Sequence, residues 1–320
     1  MSNRFLRYSI IALTLAVGCT REDLSECKVD LRIQHRYTLN TENKDLFAQK
    51  VHQLALYVFD ANERFYDVTF IDDAKTLGAD NAFDVALPAG NYTLVTWAGE
   101  PQTYHLGEAP TGAELLTEGL RRGVTQLSDF RLRVSQEAVD TAIVTQPAHL
   151  FHGIERNIQV ADVPEVQTVA IDLVKNTHLL HVSIVGLEAL TRATSNPITV
   201  YVTGNNGSYC HDNTFDVTTR RVKYLPHSEV VTGDQMVSWV QLLRLMPSHP
   251  LLLTVADTRN GAIYSQFDLL PYLMQLPDYG TQEGLDREEQ FNVELKIDAN
   301  YKVYIKINEW QLIHVIPIMP

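Results

Sequence analysis

Three groups of polar residues in this 320-residue chain have types and spacings that could do chemistry. His178 and His181 stand three apart. On a helix they would share a face and could chelate a metal. The segment around them alternates as a strand, where a three-residue offset puts side chains on opposite faces. Ser208, His211 and Asp212 supply a nucleophile, a base and an orienting acid. They lie too close together to form a triad without a strained elbow, and His211-Asp212, a conceivable cation pair, is explained by a polar turn. Asp72-Asp73 reads as a solvated loop. No GxSxG, HExxH, P-loop or GxGxxG pattern occurs. The chain is therefore expected to hold no catalytic residues, no metal and no cofactor.

The cysteines are more informative. Only Cys19, Cys27 and Cys210 are present, with no CxxC and no Cys/His zinc spacing. Arg4 and Arg7 precede an apolar run, Ser9 to Val17, too short to span a bilayer, which takes about 20 apolar residues. The run fits the core of a secretory signal peptide. It ends in Ala16-Val17-Gly18-Cys19, which resembles a bacterial lipobox, with Ala16 where leucine is usual. Cys19 is the expected lipidation site, its acyl chains (palmitate among them) each adding about 0.8 kcal/mol per buried methylene. Cys27 and Cys210 either pair as a disulfide in an oxidising compartment or stay separate buried thiols. Asp140-Thr141-Ala142 matches a short O-glycosylation sequon of Bacteroidales secreted proteins, one common by chance. Trp97, Trp239 and Trp310 sit in strand patterns. They read as core, with a carbohydrate platform as the alternative.

The formal charge is −13. Without residues 1–18, which carry two arginines and no acid, it becomes −15. Such a chain repels nucleic acid and anionic headgroups, so no nucleic-acid partner is expected. The acidic stretch Thr20 to Glu26 reads as a solvated tether; acids directly after a lipid cysteine resemble the surface-export signal of Bacteroidales lipoproteins.

Elements must position whatever function there is, and their pattern is period two. Val29, Leu31, Ile33, His35 and Tyr37 alternate with polar residues. Val51 to Phe59 is a more buried strand. Phe83–Leu87, Pro88-Ala89-Gly90-Asn91 and Tyr92–Trp97 form a strand–turn–strand unit. Gly153 to Val166, irregular and carrying Pro164, is the expected linker. Beyond it, Lys175-Asn176-Thr177 predicts a hairpin between Thr168–Val174 and His178–Val185. Gly204-Asn205-Asn206-Gly207 predicts another between Ile198–Thr203 and Ser208–Cys210. Single helical turns are predicted at Gly112–Gly119 and Leu269–Gln275. Many short strands with frequent turns indicate an all-β chain of two tandem β-sandwiches. The expected divisions are a lipoprotein signal peptide at 1–18, a tether at 19–27, and sandwiches at 28–160 and 161–320.

Four segments together resemble the fimbrillin-A-associated anchor lipoproteins of Bacteroidales. They are Cys19 to Cys27 (CTREDLSEC), Leu87 to Tyr92 (LPAGNY) leading to Thr96-Trp97-Ala98-Gly99, Leu150-Phe151-His152-Gly153, and Ile305 to Trp310 (IKINEW) with the apolar strand that follows. The resemblance implies transthyretin-like sandwiches, no enzyme activity, and a protein that holds a fimbrial polymer on the outer membrane and limits its length. Its implied partners are the fimbrillin subunits of the shaft and, through lipid, the outer membrane; the expected location is the cell outer membrane, lipid-anchored and surface-exposed. A stalk or tip fimbrillin of the same superfamily and a surface glycan-binding lipoprotein are the alternatives. At the C-terminus, Leu312, Ile313, Val315, Ile316 and Ile318 make a strand apolar on both faces. It either closes its own sandwich or is the polymer-contact strand, since strand pairing gives affinity through the main chain and specificity through alternate side chains.

Overall fold

The computed structural model describes residues 28–106, 119–134, 141–163, 165–190, 198–216, 221–298, 302–308 and 310–317. Alternation does produce strands along the chain. The first eleven are β1 (Lys28–Arg36), β2 (Gln53–Phe59), β3 (Phe65–Ile71), β4 (Ala82–Pro88), β5 (Gly90–Gly99), β6 (His105–Leu106), β7 (Arg131–Arg133), β8 (Thr141–Val144), β9 (Leu150–Val160), β10 (Gln167–Asp172) and β11 (Val174–Lys175). The next eleven are β12 (Thr177–Val185), β13 (Ile198–Gly204), β14 (Ser208–Cys210), β15 (Arg221–Tyr224), β16 (Ser228–Thr232), β17 (Gln235–Leu243), β18 (Leu251–Asp257), β19 (Ile263–Asp268), β20 (Gln290–Ile297), β21 (Lys302–Ile307) and β22 (Trp310–Pro317). Among the described residues α-helix is confined to short pieces: α1 (Phe47–Lys50), α2 (Leu187–Leu190), α3 (Leu270–Leu273) and α4 (Gln282–Arg287). The turn expected at Leu269–Gln275 is α3; the one at 112–119 lies almost wholly outside the described residues.

The first sandwich stacks a three-stranded sheet, β10-β1-β4, on a five-stranded sheet, β11-β9-β5-β2-β3. Leu31 and Ile33 of β1, Leu87 of β4 and Ile171 of β10 meet Leu54, Leu56 and Val58 of β2 and Leu94 of β5 in one core. The second sandwich stacks a six-stranded sheet, β16-β17-β12-β20-β21-β22, on a five-stranded sheet, β19-β18-β13-β15-β8. A small sheet, β14-β7-β6, bridges the halves. The other face of β2 and β5, with Ala55, Tyr57, Phe59, Val95 and Trp97, packs toward Phe130, Leu132 and Tyr209 and joins the core of the second sandwich. The five-stranded sheet of the first half is therefore covered on both faces. That is why β2 and β5 read as nearly continuous apolar runs rather than as strict alternation.

Two expected hairpins are absent, for one physical reason. At Lys175-Asn176-Thr177 the chain passes from the first sandwich to the second: β10 pairs in parallel with β1, whereas β12 pairs with β17 and β20. Asn176 is buried, and its amide exchanges hydrogen bonds with the amide of Asn213. At Gly204 to Gly207, β13 pairs with β18 and β15, while β14 pairs with β7. The turn is an arch between sheets. Its Asn206 amide points inward, donating to the carbonyls of Leu243 and Arg244 and accepting from the Tyr224 hydroxyl at 2.7 Å. In both places a turn-forming Asn serves as a buried polar plug, and a buried amide must find partners. The linker expected at Gly153–Val166 is also corrected. Its first part is strand, because β9 runs to Val160 and pairs with β5 along its length.

Candidate polymer-contact strand

The two chain ends are built differently. β1 buries Leu31, Ile33 and His35, followed by Tyr37. Its polar face is held by ion pairs: Arg32 donates to Asp80 and Asp84, and Arg36 to Asp172. Main-chain bonds run on both sides, parallel to β10 over Leu31–Arg36 and antiparallel to β4 over Lys28–Gln34. The His35 ring is stacked between Phe47 and Phe83 and meets the Thr96 hydroxyl at 3.0 Å. Burial pushes its pKa down to about 3, so it packs as a neutral side chain.

β22, which carries Leu312, Ile313, Val315 and Ile316, is the edge strand of the six-stranded sheet. Ile318 lies outside the described residues. β21 ends just before Asn308, which sits in the left-handed region at φ 49°. The Asn308 side-chain oxygen accepts from the Asn292 amide at 2.9 Å, and its amide nitrogen donates to the Tyr279 hydroxyl. Past the turn the pairing with β21 is irregular. Ile305 faces Leu312 and Val303 faces Ile316, so residues 313–315 stand opposite Tyr304 alone. Such extra residues twist and loosen a ladder. Among the described residues, no strand pairs with the outer edge of β22.

The other residues singled out in the sequence fall into structural roles. His178 and His181 do face opposite ways: His178 is buried and bonded to the Glu288 carbonyl, while His181 lies against Trp239 with ring centroids 5.3 Å apart. Asp212 accepts from the amide and hydroxyl of Thr214, and the His211 carbonyl accepts from the His152 ring. Ser208 is buried. Asp73 caps a single turn of 3-10 helix by accepting from the Lys75 amide. Among the described residues no cluster of three or more His, Cys, Asp or Glu could hold a metal. Thr141 begins β8; Asp140 lies outside the described residues. Cys210 ends β14 as a free, half-buried thiol. Cys19 and Cys27 lie outside the described residues.

The quoted motif residues have physical reasons. Trp97 is buried against His152 and Tyr209, with ring centroids 4.5 and 5.7 Å away, and so forms no platform. Gly99 sits at φ +99°, and a Cβ there would lie 2.2 Å from the His149 carbonyl oxygen. A Cβ on Gly153 would meet Ile171 at 2.5 Å, so this position sets how closely β9 approaches β10. Tyr92 closes the Pro88-to-Asn91 turn by donating to the Pro88 carbonyl at 3.0 Å.

Sequence reasoning missed the buried pair at the seam. Arg244 makes a bidentate contact with Asp286 at 2.7 and 2.6 Å and also donates to the Asn213 carbonyl. The signal was one arginine inside the apolar run Val240 to Met246, since a charge in a buried strand requires a partner.

The model of the family "Fimbrillin-A associated anchor proteins Mfa1 and Mfa2" matches residues 24–315. The chain belongs to this family. Among solved structures it is similar to the fimbrial anchor protein Mfa2 from Porphyromonas gingivalis, at 18% identity and a TM-score of 0.73, covering 91% of this chain and 100% of that one. It is also similar to a candidate polysaccharide-binding protein from Bacteroides thetaiotaomicron VPI-5482, at 22% identity and a TM-score of 0.76, covering 90% and 98%. A candidate adhesin from Bacteroides ovatus matches at 18% identity and a TM-score of 0.73, covering 90% and 96%. At these identities the structures speak for the fold. No curated protein matches by sequence. Family membership makes this a fimbria-associated protein of a structural rather than an enzymatic family. No helix among the described residues is long and apolar enough to cross a membrane.

Proposed function

We propose that this protein is the anchor subunit of a fimbria, held on the outer surface of the outer membrane by lipid on Cys19 and meeting the shaft through its C-terminal strand. The observation that carries this reading is the placement of β1. It is paired on both sides within the first sandwich and begins nine residues after Cys19. A lipid tether attached just before β1 keeps that strand in place, so the subunit has no groove to offer by shedding it. Polymer contact then falls to the other end. β22 keeps one edge on β21, and no strand among the described residues pairs with the other, a geometry suited to strand addition, in which main-chain bonds supply affinity. A subunit that contacts the polymer on one side only ends it there, which limits its length. No catalytic step is assigned to it.

The test is Cys19→Ala. The variant is expected in the soluble fraction, with fimbriae shed from the cells. Retention in outer membranes at wild-type amounts would mean that something other than lipid holds the protein.

A further inference from the structure

Where the first sandwich hands the chain to the second, a cleft of about 410 Å³ opens between them. Its walls come from both halves: Lys50 at the end of α1, His52 just after it, His149 just before β9, Lys175 on β11, and Glu289 beside β20. Among the described residues Glu289 is the single carboxylate lining it. The Lys50 ammonium reaches its Oε2 at 3.0 Å and the Lys175 ammonium the same oxygen at 3.5 Å. The Tyr37 hydroxyl donates to Oε1 at 3.3 Å.

Two ammonium groups thus share one carboxylate, and among the described residues one positive charge is left without a counter-charge in the cleft. Lys175 is the costly member. It is 8% exposed, and burial pushes its pKa down while Glu289 pulls it up. A half-compensated cation in a low-dielectric wall is an attractive field source for an anion. Histidines 52, 149, 178 and 227 and the Gln241 amide also line the cleft, so no second acid competes. In a chain of net charge −13 this cationic locus is out of keeping with the rest of the molecule. The volume falls in the range of small-ligand sites, about 300–1,000 Å³.

We propose that this seam cleft binds a small organic carboxylate, with Lys50 and Lys175 as its cationic contacts. The carboxylate takes the place opposite Glu289 and completes an alternating set of two cations and two anions. Such a group can come from an acidic sugar or from a bare carboxylate such as an acidic side chain, and the chemistry of recognition is the same. No residue of β1 or β22 lines the cleft among the described residues, so its occupation is separate from anchoring.

The probes are D-galacturonate, neutral D-galactose and acetate, titrated by calorimetry into the full-length protein in detergent at low ionic strength. Galacturonate is expected to bind saturably and galactose at least tenfold more weakly. Lys50→Gln, at a side chain 38% exposed and so tolerated by the fold, is expected to weaken galacturonate about tenfold, the change that ~1.4 kcal/mol produces. Raising salt on the wild-type protein should weaken it as well, a check that needs no variant. Acetate competing as well as galacturonate identifies a bare carboxylate as sufficient; acetate failing to compete identifies the sugar acid. Absence of saturable binding by either carboxylate, equal affinity for galactose, an unaffected Lys50→Gln or a salt-independent affinity would each overturn the assignment.

Discussion

β1 and β22 are the first and last described strands of the chain, one in each sandwich, yet they are bound to the molecule in opposite ways. β1 lies between two partners, in register with each, with its inward side chains buried and its outward arginines paired. β22 has, among the described residues, one partner, a broken register and an open edge. A strand with neighbours on both sides can leave only if two ladders and a core break together. An edge strand keeps a row of main-chain donors and acceptors available to another chain. One end is suited to carrying a tether and the other to receiving a partner.

The largest effect should come from breaking the first end. Ile33 is fully buried in the core of the first sandwich. Ile33→Asp loses about 1.5–3 kcal/mol of apolar burial and adds a desolvated carboxylate costing several more. Against a typical total of about 5–15 kcal/mol, the variant should not accumulate as folded protein. Wild-type melting would place β1 outside the core. Removal of residues 311–320 should act differently: a monomer that still folds and melts cooperatively, with fimbriae no longer co-purifying with outer membranes. Collapse of the monomer would show that β22 is needed by its own sheet, and the contact role would be withdrawn.

Acid should then weaken the first end in a defined window. The His35 pKa is down at about 3 because the ring is buried, against about 6.5 in an unfolded chain. Below the unfolded value the unfolded state binds a proton that the folded state refuses. Stability therefore falls as pH drops from about 6.5 toward 3, by about 2 kcal/mol from this group at pH 5. His152, also lowered by burial to about 3, adds to the slope. Melting curves from pH 7 to 4 should shift steadily downward, and His35→Gln should flatten the shift; an unchanged slope would mean that His35 is reached by solvent. The smallest effect belongs to the Arg36–Asp172 pair, which links β1 to β10 at 2.9 Å with side chains 42% and 58% exposed. Exposed pairs contribute about 0.2–1 kcal/mol. Arg36→Ala should move the denaturation midpoint by no more than that, and a larger shift would mean that the pair, rather than the ladders and the core, holds β1 in place.

Much of this molecule was legible in the residues themselves. Alternation from Val29 to Tyr37 is a strand because successive side chains point to opposite faces, and Cys19 after a short apolar run is a local signal that needs no fold. β21 ends at Ile307, directly before Asn308 in the left-handed region, for an equally local reason. What the sequence left open was partner choice. The same turn chemistry that makes a hairpin makes an arch between sheets, so Lys175-Asn176-Thr177 and Gly204 to Gly207 could not reveal that their flanking strands join different sheets. The parallel pairing of β1 with β10 brings together residues more than a hundred positions apart, and no local pattern encodes it. Glu289 likewise gathers Tyr37, Lys50 and Lys175 only once two sandwiches pack. Side-chain period is a property of the chain, and was fixed by sequence alone; register, sheet membership and shared charge depend on which surfaces are buried together, which only the tertiary structure decides.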